Sequence, residues 1–157
     1  MIEQIHSFFS INMIYLWINF GVLPFWLVLL FFPQSRICKI FVASVFPLIV
    51  LAIIDFYLFF EILNDDFNIL YSFNLYLGID DLLAVLSEQN YILIFWIHFL
   101  AINLFCGSWI VRDYQKINMS KYLAFLPLIV TYFVGPFGLL IYWILKIFYI
   151  KNIDLYG

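Results

Sequence analysis

Between Glu3 and Arg36 the chain carries no formal charge, and within that stretch Ile11 to Phe32 makes a run of 22 residues. At about 1.5 Å per residue such a segment covers the roughly 30 Å of a bilayer's hydrocarbon layer. The pattern recurs. Ile40 to Phe60 is interrupted only by Asp55 and runs on to position 62, Tyr91–Val111 holds His98, and Tyr122–Leu145 contains no Asp, Glu, Lys or Arg. The whole chain has 157 residues, 67% hydrophobic and 11% charged, against roughly 45–50% and 25% in soluble domains. A chain this short cannot hide so much apolar surface in its own core. These features predict an all-α fold: an integral membrane four-helix bundle in one domain, with spans at 11–32, 40–62, 91–111 and 122–145.

Cations set the expected orientation, because cytoplasmic loops collect Lys and Arg. Arg36 and Lys39 lie between spans one and two, and Arg112, Lys116 and Lys121 between three and four. The connection from 62 to 90 instead holds Asp65, Asp66, Asp80, Asp81 and Glu88 with no cation. Both termini are therefore expected on the non-cytoplasmic side, with Lys146 and Lys151 against the trend. The sequon Asn118-Met119-Ser120 then falls in an inner loop, out of reach of glycosylation.

Within the acidic connection, Ile79, Leu82, Leu83 and Leu86 recur at helical spacing behind Gly78, with Asp80 and Asp81 near the start, where carboxylates favour a helix. This predicts a short interfacial helix in the outer loop between helices two and three. Phe67, Leu70, Tyr71, Phe73 and Tyr76 precede it, as an aromatic lid over the bundle.

Several function classes drop out. Seven Lys and Arg against ten Asp and Glu give a net charge of −3, so the basic footprint of a nucleic-acid binder is missing. Cys38 and Cys106 have no metal-ligand spacing and read as buried thiols. The acidic connection lacks the alternating ligands and central Gly of a calcium loop. His6 precedes span one while His98 is mid-membrane, so no bis-histidine haem site is expected. The inward Glu and Glu-x-x-His pattern of a di-iron bundle is absent. No metal and no cofactor is expected. The first residues hold Glu3 and no Lys or Arg, so no secretory leader or transit peptide is expected either.

Ionisable groups inside spans are costly and mark function by default. Taking span midpoints as the bilayer centre, Asp55 lies roughly 7 Å outward and His98 roughly 4.5 Å. Asn19 on span one and the Gly135–Gly138 break on span four fall in the same layer. On span three, Ile102, Phe105, Trp109 and Asp113 share a stripe with His98, while Asn103 and Gly107 face elsewhere at the spacing of a close interhelical contact. Pro136 cannot donate to the Tyr132 carbonyl and should kink span four, leaving that carbonyl to face protein, water or ligand. Two readings of Asp55 and His98 stand side by side: they hold helices in register, or they carry acid–base chemistry.

The run Trp96-Ile-His98-Phe-Leu-Ala-Ile-Asn103-Leu-Phe-Cys-Gly107-Ser-Trp109-Ile-Val-Arg-Asp113, with Pro127 and then Gly135-Pro136-Phe-Gly138-Leu-Leu140, resembles the abscisic-acid-deficient-four-like membrane family. Pro24-Phe-Trp26, with Pro33 closing the span, fits the same pattern. The resemblance implies four spans and, for plant members, a requirement in forming neoxanthin from violaxanthin in plastids. That conversion opens an epoxide and creates an allene, formally an isomerisation. The family usually carries Asp where Asn103 stands, and an amide exchanges no proton at ordinary pH. With no transit peptide expected, a bacterial cytoplasmic membrane is the expected location.

Three functions compete. In the first, the protein acts on or binds a carotenoid or other isoprenoid lipid of the bilayer. His98 and Asp55 are then the catalytic pair, and Asn19, Trp96, Asn103, Trp109, Asp113, Tyr132, Gly135, Pro136 and Gly138 line the substrate site. In the second it is a non-enzymatic subunit or lipid-binding scaffold, working with a membrane-protein partner. The third, a transporter, has too few spans for alternating access unless the chain forms a homo-oligomer.

Overall fold

The computed structural model describes residues 10–64 and 76–150. Among these residues all regular structure is helical. The elements are α1 (Ile11–Phe31), a π-helical turn (Cys38–Val42), α2 (Phe46–Asn64), α3 (Ile79–Leu86), α4 (Gln89–Lys116), α5 (Lys121–Phe133) and α6 (Gly135–Ile150). Three of them, α1, α2 and α4, are long and apolar enough to cross a membrane. The short helix expected behind Gly78 is present as α3, with Asp80 and Asp81 in its first turn. Val85 is buried and Ile79 and Leu83 are exposed. Tyr76 is exposed; Glu3, His6, Asp65, Asp66, Phe67, Leu70, Tyr71, Phe73 and Lys151 lie outside the described residues.

Two expected spans differ from the structure. The second helix begins at Phe46, not at position 40, because the apolar run is punctuated. Cys38–Val42 winds as a π turn closed by Ala43 N–H on the Cys38 carbonyl at 2.7 Å. Ser44 Oγ then donates to the Phe41 carbonyl and accepts from Phe46 N–H, ending one element and starting the next. Pro47 falls in the first turn of α2, where a missing donor costs nothing. The stretch expected as a fourth span is instead two helices, α5 of 13 residues and α6 of 16 residues, separated by Val134. At 1.5 Å per residue they reach roughly 20 and 24 Å, short of the hydrocarbon thickness.

The chain divides into two compact units. One joins the chain up to Gly21 to Ile49–Phe99; the other joins Val22–Leu48 to everything from Leu100 on.

Within the second unit the direction of each helix follows from the side chains it meets. Trp26 packs on Gly107 and Gln115 donates to the Pro33 carbonyl at 2.8 Å, so α1 and α4 run parallel. Trp26 meets Tyr132 and Phe31 meets Phe125, so α5 runs back against α1. Gly135 sits at Asn103, Tyr142 and Lys146 at Asp113, and Tyr149 at Asn118, so α6 again runs parallel to α4. The chain reverses at Val134. What looked like one span is a helical hairpin whose tip lies beside Asn103, near the middle of α4.

Local chemistry explains the turns at the two ends of α5. At its base, α4 stops at Lys116, and Asn118 takes a left-handed conformation with φ 53°, a backbone region Asn tolerates better than most residues. At its tip, Val134 is extended with φ −145° and ψ 84°. Gly138 then lets the arms touch: a Cβ there would lie 2.6 Å from Thr131 Cα.

Candidate functional site

The first unit holds Asp55, His98, Asn19 and Trp96; the second holds Asn103, Trp109, Asp113, Tyr132, Gly135, Pro136 and Gly138. In the first, Asp55 on α2 places Oδ2 3.6 Å from His98 Nδ1 on α4. The imidazole is 60% exposed and the carboxylate 24%. His98 Nδ1 also lies 3.0 Å from the Ile94 carbonyl. Both neighbours offer acceptor oxygens to Nδ1, and Nε2 has no partner among the described residues. Asp55 Oδ1 is buried and accepts no hydrogen bond. An imidazole beside a carboxyl in this way can accept a proton at Nε2 and leave the resulting charge next to a carboxylate.

Asn19 and Trp96 meet in the same unit. The Trp96 indole N–H donates to Asn19 Oδ1 at 3.2 Å, and the Asn19 amide donates to the Tyr15 carbonyl at 2.7 Å. Beside them an apolar groove of about 270 Å³ is lined by Ile14, Trp17, Ile18, Ile53, Ile54 and Tyr57. Neither Asp55 nor His98 is among its lining residues, and the surface facing the groove is apolar throughout. An alkyl or polyene chain suits such a lining better than any headgroup.

In the second unit Asn103 bridges the hairpin tip. Its Nδ2 donates to the Tyr132 carbonyl at 3.1 Å and its Oδ1 accepts from Gly135 N–H at 2.9 Å. One amide thus satisfies the last turn of α5 and the first of α6, groups that have no partner within their own helices. Pro136 contributes no donor, and Phe137 and Gly138 N–H reach the Val134 carbonyl. A Cβ on Gly135 would collide with the Asn103 amide, so the residues expected to open a pocket here are in direct contact.

Lower on α4, Asp113 is buried among aromatic rings. Lys146 Nζ lies 3.0 Å from its Oδ2 and 3.2 Å from its Oδ1, and Tyr142 O–H donates to Oδ2 at 2.6 Å. Lys146 is 2% exposed, with its ammonium over Trp109 and Trp143 at 5.9 and 5.6 Å. The Trp109 ring meets Tyr142 edge-on at 5.8 Å. A buried carboxylate needs such a partner, because removing one ion of a pair strands the other in low dielectric.

Sequence reasoning missed Lys146 and Tyr142 as members of this cluster. Their four-residue spacing puts both on one face of a helix, and a lone lysine in an apolar helix calls for an anion. Near the connection between α1 and α2, burial pushes the Cys38 thiol up from its ordinary value, with Lys39 pulling weakly the other way.

Residues 13–142 match the family described as ABA DEFICIENT 4-like, and the chain belongs to it. The matched stretch runs from the first turn of α1 into α6, taking in Asp55, His98, Asn103, Asp113 and Tyr142. No curated protein and no solved structure matches the chain.

Proposed function

We propose that this member of the ABA DEFICIENT 4-like family acts on an isoprenoid lipid dissolved in the bilayer, with His98 as proton-transferring base and Asp55 as its orienting carboxylate. The observation that carries the reading is the position of the pair. An imidazole with a free Nε2 is exposed on a helix long and apolar enough to span a membrane, where only a lipid-dissolved molecule can meet it. An isomerisation needs a proton removed and one returned and no added reactant, which a single base beside a carboxyl supplies. The isoprenoid class rests on the family resemblance.

The same proposal fixes the membrane arrangement: α1, α2 and α4 cross, α3 lies on the outer interface, and α5–α6 enter and leave from the inner side, in a bacterial cytoplasmic membrane. Arg36, Lys39, Arg112, Lys116 and Lys121 are each exposed, and on this proposal they mark the inner side. The N-terminal end is outside. On this proposal the chain leaves α6 on the inner side, unlike the expectation for a fourth crossing, and Lys146, whose charge is paired with Asp113, no longer stands against the cation distribution. A second reading, a non-enzymatic subunit or scaffold, is favoured by the second unit, where Asn103 and Asp113 are both consumed by packing.

The test is organic extraction of the purified protein, followed by solvent-deuterium incorporation into the extracted lipid. The expected result is an isoprenoid at stoichiometric amount whose deuterium uptake is lost in His98→Ala while the lipid itself is retained. An extract free of isoprenoid, or uptake unchanged in His98→Ala, would refute the catalytic assignment.

A further inference from the structure

We propose a second ligand site, independent of the Asp55–His98 pair: the cavity between the N-terminal ends of α1 and α4 takes the neutral, polyhydroxyl headgroup of a glycolipid. The cavity measures about 380 Å³, within the roughly 300–1,000 Å³ of small-molecule sites. Its lining combines two amides, Asn12 and Gln89, with the rings of Tyr15 and Trp96 over the aliphatic Ile92 and Leu93.

The aromatic wall is set before any ligand arrives. Tyr15 and Trp96 lie 6.3 Å apart at 40°, and Trp96 stacks on Phe99 at 5.3 Å. The bond from Trp96 to Asn19, with Asn19 itself held on the Tyr15 carbonyl, locks this corner. Rigid rings lose little entropy on binding. Because the indole N–H is already used, what the wall offers is ring face, which suits the C–H side of a sugar ring. The amides supply the rest. Each has two donors and a carbonyl acceptor, the complement of hydroxyls that donate and accept at once.

Charge selects against the common alternative. The Asp, Glu, Lys and Arg residues of this unit, among those described, are Asp55, Glu61, Asp80, Asp81 and Glu88, all acidic. None of them lines the cavity, and their combined field opposes an anionic phosphate headgroup. A neutral polyol escapes that repulsion. Placement agrees with this. Gln89 opens α4 directly after Glu88, at the edge where charged residues give way to an apolar helix, and Ile92 and Leu93 continue the cavity toward the hydrocarbon.

The probes are glucosyl diacylglycerol and phosphatidylglycerol, each supplied in phosphatidylcholine nanodiscs holding the full chain, with retained lipid counted by native mass spectrometry. The expected result is selective retention of the glucosyl lipid, weakened roughly tenfold, or about 1.4 kcal/mol, in the Asn12→Leu, Gln89→Leu double variant. Both side chains are exposed, so the variant should melt with the wild type. Tyr15→Leu, which removes the aromatic wall but neither amide, should weaken retention as well. Equal retention of the two lipids, or full retention in these variants, would overturn the proposal. Retention is read without proton exchange, so its failure leaves the isoprenoid reading standing.

Discussion

Replacing Asn103 by leucine keeps the side chain's branching and approximate size but removes both hydrogen bonds at the hairpin tip. The Tyr132 carbonyl and the Gly135 N–H, now held at 3.1 and 2.9 Å, would face apolar side chains. An unsatisfied buried polar group costs about 1–3 kcal/mol, which makes about 2–6 kcal/mol for the two. Interhelical bonds in membranes average nearer 0.6 kcal/mol, because groups released from them find other partners. Here both groups belong to backbone at helix ends, where their own helices offer no partner, so a loss of about 2 kcal/mol or more is expected. Asn103→Asp sharpens the test without changing shape. A neutral carboxyl can donate to Tyr132 and accept from Gly135; a carboxylate can only accept, and sets its charge against the Tyr132 carbonyl.

The folded Asp variant therefore holds its proton more tightly than the unfolded chain does. Its stability should be full below the ordinary carboxylate range, about pH 4, and fall as pH rises through and beyond it. Thermal unfolding in detergent across pH 4 to 8, followed by tryptophan fluorescence, reads both effects. Trp26 packs edge-on against Tyr132 at 5.3 Å and reports the tip directly. If Asn103→Leu melted with the wild type and Asn103→Asp showed a flat pH profile, the amide would not be holding the turn, and the hairpin would need another cause.

Gly138→Ala should lower the melting temperature, since its Cβ would press on Thr131 backbone, whereas Gly21→Ala meets nothing within 4 Å and should be neutral or stabilising by up to about 1 kcal/mol. Lys146→Met should cost about 3–5 kcal/mol by stranding Asp113, and a triple change with Asp113→Leu and Tyr142→Phe should recover most of it; additive losses would show that the cluster is not a unit. For topology, Ile2→Cys should react with an impermeant thiol reagent added outside, while Lys116→Cys and Gly157→Cys should not. Cys38 and Cys106 are buried and stay silent as background. Labelling of Gly157→Cys from outside would refute the returning hairpin.

Much of the first unit was legible because its signals are local. A charge-free run of span length, a lone Asp and a lone His at similar depth, and the spacing of Ile79, Leu82, Leu83 and Leu86 all act within a helix or two. The start of α2 was misplaced: hydropathy alone merged the Cys38–Val42 turn with the helix behind it, since both are apolar, and the break at Ser44 and Pro47 went unread. Length arithmetic cannot separate one helix from two when composition does not change at the join.

The hairpin marks where that arithmetic fails. A crossing helix and a pair of short helices bury the same apolar residues, so hydropathy is blind to the difference; what differs is the fate of the backbone groups at the break. In a kinked span, Pro136 frees one carbonyl and the chain continues. A reversal frees the ends of two helices, and in hydrocarbon it persists only if one side chain can serve a donor and an acceptor together. Asn103 does so from another helix, 29 and 32 residues away in sequence. Lys146 carried the second clue. Read as the outer edge of a fourth span it contradicts the cation distribution; read as Asp113's partner on a returning helix it restores that distribution, and both ends of α5–α6 fall on the side where Arg112, Lys116 and Lys121 already lie.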